Sequence, residues 1–158
     1  MSTPAESDLL ARAVDLATAN VAEDGGPFGA VLATADGRLF EGVNQVTSAH
    51  DPTAHAEVAA LRAACAQLET HELPGAVLYA SCEPCPMCLA SALWARVDRV
   101  VFAAGRDDAA RAGFDDAAFY EYFESPGHRA LLPTAQSRTA QAAAPFDAWR
   151  AHEGRTAY

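Results

Sequence analysis

Four short apolar segments alternate with three helical stretches between Ser7 and Ala104, and that order confines the chain to a sheet layered with helices. Ser7 to about Ala22 reads as an amphipathic helix with Leu10, Val14, Ala17 and Val21 on one stripe, stopped by Gly25-Gly26-Pro27. Phe28 to Val46 reads as a hairpin, with apolar segments on either side of a turn containing Asp36-Gly37. A polar loop from Gln45 to Asp51 follows. Asp51-Pro52-Thr53 then offers cap chemistry to a helix over Ala54–Leu68. Ala76–Ser81 is a short buried strand, Pro86 opens a helix to about Ala95, and Asp98–Ala104 is a further strand. Beyond Gly105 the pattern weakens. Asp115–Ser125 and Phe146–His152 read as helices, and Thr134–Ala144, rich in Ala, Gln and Thr, as a connector or an edge strand.

Two of these helices begin with residues that carry chemistry. His55-Ala-Glu57 opens the second helix and Pro84-Cys85-Pro86-Met87-Cys88 opens the third. Cysteines at i and i+3 on a first helical turn lie on one face, so two thiolates can grip one ion. The positive end of the helix dipole lowers the cost of holding them there. With His55 as the third ligand, the set leaves a fourth tetrahedral position for water, which is the pattern of a catalytic zinc. Zinc lowers the pKa of such a water towards neutrality. Glu57, two residues past the histidine, is placed to take the water's proton and return it to substrate without ligating the metal. H-x-E followed by P-C-x-x-C is the signature of zinc deaminases. Cys82 makes a second, overlapping C-x-x-C with Cys85. The pair Cys85 and Cys88 is preferred because Pro86 starts a helix between them, while Cys82 falls at a strand end and reads, like Cys65, as a small buried residue. The competing uses of these motifs are a helix-capping histidine and a redox or structural C-x-x-C pair, which make a non-enzymatic zinc or redox module.

Charge narrows the field further. The chain of 158 residues, one domain in length, carries 21 acidic against 11 basic residues, a formal net charge of −10, and every basic residue is arginine. Without lysine there is no Schiff-base chemistry and no phosphate-loop lysine. Such a surface is a poor match for nucleic acid, which is bound through a cationic footprint. The first residues have neither a positive region nor an apolar stretch, and no apolar run approaches the ~18 residues of a membrane span. A cytoplasmic location is therefore expected, where closely spaced cysteines serve metal or redox chemistry.

With these motifs the sequence resembles the cytidine deaminase-like superfamily, and within it the small bacterial guanine deaminases. The resemblance runs through Gly26-Pro-Phe-Gly-Ala-Val31, Asn44, Asp51-Pro-Thr-Ala-His-Ala-Glu-Val58 and Leu78-Tyr-Ala-Ser-Cys-Glu-Pro-Cys-Pro-Met-Cys-Leu89. It continues through Trp94-Ala-Arg96, Asp108-Ala-Ala, Ala112-Gly-Phe-Asp-Asp116, Pro145-Phe146, Ala148-Trp-Arg150 and Tyr158. The zinc motifs are common to deaminases of tRNA adenosine, cytosine and riboflavin precursors. The Ala-Gly-Phe-Asp-Asp block and the Pro-Phe-x-Ala-Trp-Arg tail point to the guanine branch.

The resemblance implies a three-layer α/β/α fold around a mixed five-stranded sheet, the fifth strand coming from the C-terminal part. It makes His55, Cys85 and Cys88 zinc ligands and Glu57 the proton shuttle. Asn44 would hydrogen-bond the base and Phe28 stack on it, with Ala56 and Tyr158 also at the substrate. Asp116 would be a second acid near the departing amine. It further implies a homodimer in which residues 126–158 cross to the partner and close its site. The plainer uses of these residues are a hairpin anchor for Phe28, a turn for Asn44, helix capping for Asp115 and Asp116, and packing for Trp94 and Trp149. The implied reaction is hydrolysis of guanine to xanthine and ammonia. Alternative substrates are a guanosine-like nucleoside, an aminotriazine, cytosine or tRNA adenosine.

Overall fold

A computed structural model describes residues 5–158. Helix α1 (Glu6–Ala22) lies on one face of a sheet, and helices α2 (Ala56–Leu68) and α3 (Pro86–Trp94) lie on the other side. Strands β1 (Gly29–Ala33) and β2 (Leu39–Val43) form the expected hairpin, with Leu32 opposite Phe40 and Gly37 at φ +84° in the turn. Strand β3 (Val77–Cys82) pairs antiparallel with β1, and β4 (Arg99–Ala104) runs parallel to β3, giving a mixed sheet in the order β2-β1-β3-β4. Strand alternation separates two cores. Ala30, Leu32, Phe40 and Leu78 pack with α2 residues Ala56, Ala60, Leu61 and Ala64, while Val31 and Tyr79 pack with Leu9 and Ala13 of α1.

Two expectations need correction. The sheet has four strands, not five, among the described residues. Thr134–Ala144 is a connector: it lacks alternating large apolar side chains, and nearly all of it is exposed. The buried stripe of α1 is Leu9, Ala13 and Ala17, while Val14 and Val21 are 41% and 51% exposed. Close approach decides this face. A Cβ on Gly29 would sit 2.4 Å from the Ala13 carbonyl, so α1 meets β1 through its smallest side chains and turns the valines outward.

After β4 come α4 (Arg106–Arg111), α5 (Ala117–Glu124), a 3-10 turn (Pro126–Leu131) and α6 (Ala144–Ala151). From Phe123 to Tyr158 no residue is buried, and Leu132, Phe146 and Tyr158 are each more than 60% exposed. No helix among the described residues is long and apolar enough to cross a membrane.

Candidate active site

The parallel strands β3 and β4 end side by side at Cys82 and Ala104, and the first turns of α2 and α3 meet beside that edge. His55 and Cys85 occupy the N-cap positions of the two helices, in extended backbone conformation and with no side-chain cap bond. Their side chains are thus free to meet. His55 Nδ1 lies 3.6 Å from Cys85 Sγ and 3.4 Å from Cys88 Sγ, and the two sulfurs are 3.6 Å apart. A tetrahedral zinc with ordinary bond lengths holds S···N at about 3.6 Å and S···S at about 3.8 Å. The triangle therefore has the donor types and spacing that this ion requires.

The Asp51-Pro52-Thr53 segment acts one step earlier than expected. Asp51 Oδ1 accepts from the Thr53 N–H (2.8 Å) and hydroxyl (2.7 Å), and the Arg62 guanidinium of α2 donates to Asp51 and Thr53. The bracket fastens the turn that delivers His55, and the helix itself starts at Ala56.

Charge in the triangle follows from its closeness. Contact with the Cys88 sulfur, aided by His55 against the cost of burial, brings the Cys85 thiol down to about 4. The same contact, with burial, pushes the Cys88 thiol up. His55 is raised by its hydrogen bond to Cys85. Cys82 lies outside the triangle, its thiol raised by burial and directed to the Gly105 carbonyl at 3.6 Å.

A cavity of about 780 Å³ opens onto His55, Cys85 and Glu57. Glu57 is 7% exposed, and burial pushes its carboxyl above the ordinary range. Asn44 and Phe28 line the same cavity. The Asn44 Oδ1 accepts a long bond from the Val46 N–H (3.3 Å), and among the described residues its Nδ2 hydrogens have no protein acceptor. The turn use and the ligand use of Asn44 are thus compatible. Phe28 packs on the core and meets Phe114 edge-on at 5.0 Å, which likewise combines anchoring with a place at the cavity. Both aspartates line the cavity, but only Asp115 caps, accepting the Ala117 N–H at 3.0 Å, while Asp116 makes no capping bond. Burial and the neighbouring Cys85 raise the Asp116 carboxyl.

Two predicted substrate positions lie apart from this group. The Ala56 side chain is fully buried in the core rather than at the cavity. Tyr158 lies by Trp94, Trp149 and His71, with ring centroids 6.1–6.3 Å away, and does not line the chain's own cavity. Conversely, Asn20 was not recognised from sequence. Its Nδ2 donates to the Gly26 and Asn44 carbonyls, both at 2.8 Å, and so joins the end of α1 to the cavity wall. The signal was the Gly25-Gly26 pair: a Cβ at Gly25 would lie 2.3 Å from the Asn20 amide, and one at Gly26 would lie 2.8 Å from Asn44 Oδ1.

Residues 4–104 match the model of the cytidine and deoxycytidylate deaminase zinc-binding region. The chain belongs to this deaminase family. It is 48% identical to the guanine deaminase of Bacillus subtilis over 143 residues, 90% of this chain and 92% of that protein. The X-ray structure of guanine deaminase from Bacillus subtilis superimposes with a TM-score of 0.93 at 44% identity, covering 98% of this chain and 99% of that one. The tRNA-specific adenosine deaminase of Agrobacterium fabrum is 46% identical over 79 residues, but these are only 49% of this deaminase and 51% of that protein. Likeness to the guanine enzyme thus extends through α4 to α6, whereas likeness to the tRNA enzyme stops at about half of either chain.

Proposed function

We propose that the protein is a zinc-dependent aminohydrolase that converts guanine and water to xanthine and ammonia. The observation that carries this reading is the juxtaposition of the His55–Cys85–Cys88 triangle with the buried carboxyl of Glu57 at one cavity. Its support for guanine is the 48% identity to a guanine deaminase over nine-tenths of the chain.

Zinc, when bound by His55, Cys85 and Cys88, supplies the Lewis acidity that makes water a nucleophile near neutral pH. Glu57 accepts the proton of the attacking water on its carboxylate and delivers it to the ring nitrogen beside the amine-bearing carbon. Asp116 relays to the departing amine the proton given up as the attacking oxygen becomes the product carbonyl, so that ammonia leaves and the carboxylate is restored. Asn44 Nδ2 donates to an acceptor on the base, and the Phe28 ring stacks on it.

The charges at the cavity suit a neutral base. Asp24, Glu57, Glu83, Asp115 and Asp116 line it with one guanidinium, Arg106, an arrangement that repels phosphorylated or polymeric substrates. Residues 126–158, none of them buried, close the site of a second copy in a swapped homodimer and bring Tyr158 there. The four free cysteines fit a reducing cytoplasm.

Ammonia release from a panel of free bases, nucleosides and a tRNA anticodon stem tests the substrate, and guanine is expected to lead. Glu57→Gln should keep its zinc and lose turnover by about 10²–10⁴-fold. A fully active variant, or a preference for a base other than guanine, overturns the corresponding part of the reading.

A further inference from the structure

Helix α5 carries Asp116 at its start but is loosely attached to the rest of the fold. Tyr122 is its one buried residue, and the Tyr122 hydroxyl donates to Leu132 of the exposed tail. Among the described residues, the one hydrogen bond from α5 to the sheet-and-helix body runs from the Tyr120 hydroxyl to the Pro84 carbonyl, at 2.7 Å. Pro84 immediately precedes Cys85, so this bond ties the helix of Asp116 to the loop of a metal ligand. A second tie lies beside it. The Arg106 N–H, at the start of α4, donates to the Glu83 carboxylate at 3.2 Å, and the Arg106 guanidinium lies 4.8 Å over the Tyr120 ring. Glu83 and Pro84 together thus grip α4 and α5 from the metal loop.

We propose that Tyr120 is a positioning residue, whose hydroxyl, backed by Arg106, holds Asp116 at working distance from the ligand loop. The proposal rests on the assignment of Asp116 made above. Tyr120 belongs neither to the donor triangle nor to the cavity lining, which it meets through Arg106, so it acts through the helix it anchors. Deleting the hydroxyl keeps the ring, its packing and the stack with Arg106, and removes a single bond.

The test uses the zinc-loaded full chain with Tyr120→Phe, Asp116→Asn and the double variant. It measures zinc content, kcat and KM for guanine, and amide hydrogen exchange across Ala117–Glu124. Tyr120→Phe should retain its zinc, lose about 3- to 10-fold in kcat with KM little changed, and exchange faster in α5. In the Asp116→Asn background it should cost nothing further, as coupled residues do. Wild-type kcat and exchange in Tyr120→Phe would overturn the proposal. So would zinc loss in step with activity, or losses that multiply in the double variant. Wild-type turnover by Asp116→Asn would instead remove the assignment of Asp116. The exchange rate of α5 in Tyr120→Phe then judges the clasp alone, with unchanged exchange counting against it.

Discussion

Gly42 offers a direct test of whether helix–strand packing sets the active-site geometry. It lies on β2, and a Cβ built there would be 2.2 Å from the Ala56 carbonyl and 2.5 Å from the Ala60 nitrogen, more than an ångström inside ordinary contact. Both atoms are helix backbone, so no side-chain rotation relieves the clash. Gly42→Ala must push α2 away from the sheet, and the part pushed is its first turn, Ala56–Ala60, which carries Glu57 and directly follows His55. Overpacking of this kind costs about 1–3 kcal/mol. For a domain of this size that lowers Tm by about 2–12 °C.

Turnover should suffer beyond this stability loss, because a displacement of about 1 Å at reacting groups is worth about 10²-fold in rate. His55 Nδ1 now sits 3.4–3.6 Å from two sulfurs that belong to a different helix, so a shift of α2 opens the triangle as well. The control is Gly37→Ala. Gly37 has φ +84° and nothing within 4 Å of a built Cβ, so it loses stability through backbone strain alone, about 1 kcal/mol. Thermal melts, zinc stoichiometry and kcat on the two purified variants separate the effects. A Gly42→Ala protein with wild-type Tm and kcat, or one no slower than Gly37→Ala, would refute the reasoning.

Cys85→Ala should lose stoichiometric zinc, measured by atomic absorption after dialysis, and unchanged metal content would sink its assignment as a ligand. Asp115→Ala removes the acceptor of the Ala117 N–H and should cost about 1 kcal/mol in stability with little effect on kcat; a large kcat loss at constant Tm would exchange the roles of the two aspartates. Truncation before Gly154 removes Tyr158 and should raise KM for guanine in steady-state assays, and an indifferent enzyme would refute the lid.

The close approach of His55, Cys85 and Cys88 was legible because its chemistry is local. H-x-E and C-x-x-C place their side chains within one helical turn, and a proline or a polar turn marks where each helix starts. The strands fell within one or two residues of their expected bounds for the same reason. What stayed hidden depends on partners far along the chain. The outward turn of Val14 follows from Gly29 meeting Ala13, and no stripe within α1 reports that approach. The bonds of Asn20 to Asn44 and of Tyr120 to Pro84 span 24 and 36 residues, and each joins a side chain to a bare carbonyl, which leaves no pattern of residue types to read.

The tail poses the same problem at larger scale. Phe146 and Tyr158 are 66% and 72% exposed, and Trp94 and Leu93 of α3 are 63% and 71% exposed. Covering apolar side chains so open at both places would remove apolar surface from water, which is the driving force the proposed swap would draw on. Amphipathic periodicity tells which side of α6 is apolar, not which surface covers it. The sequence therefore announces the His55–Cys85–Cys88 triangle and Glu57 beside it, while what covers the apolar side of α6 depends on contacts that no single stretch of the chain contains.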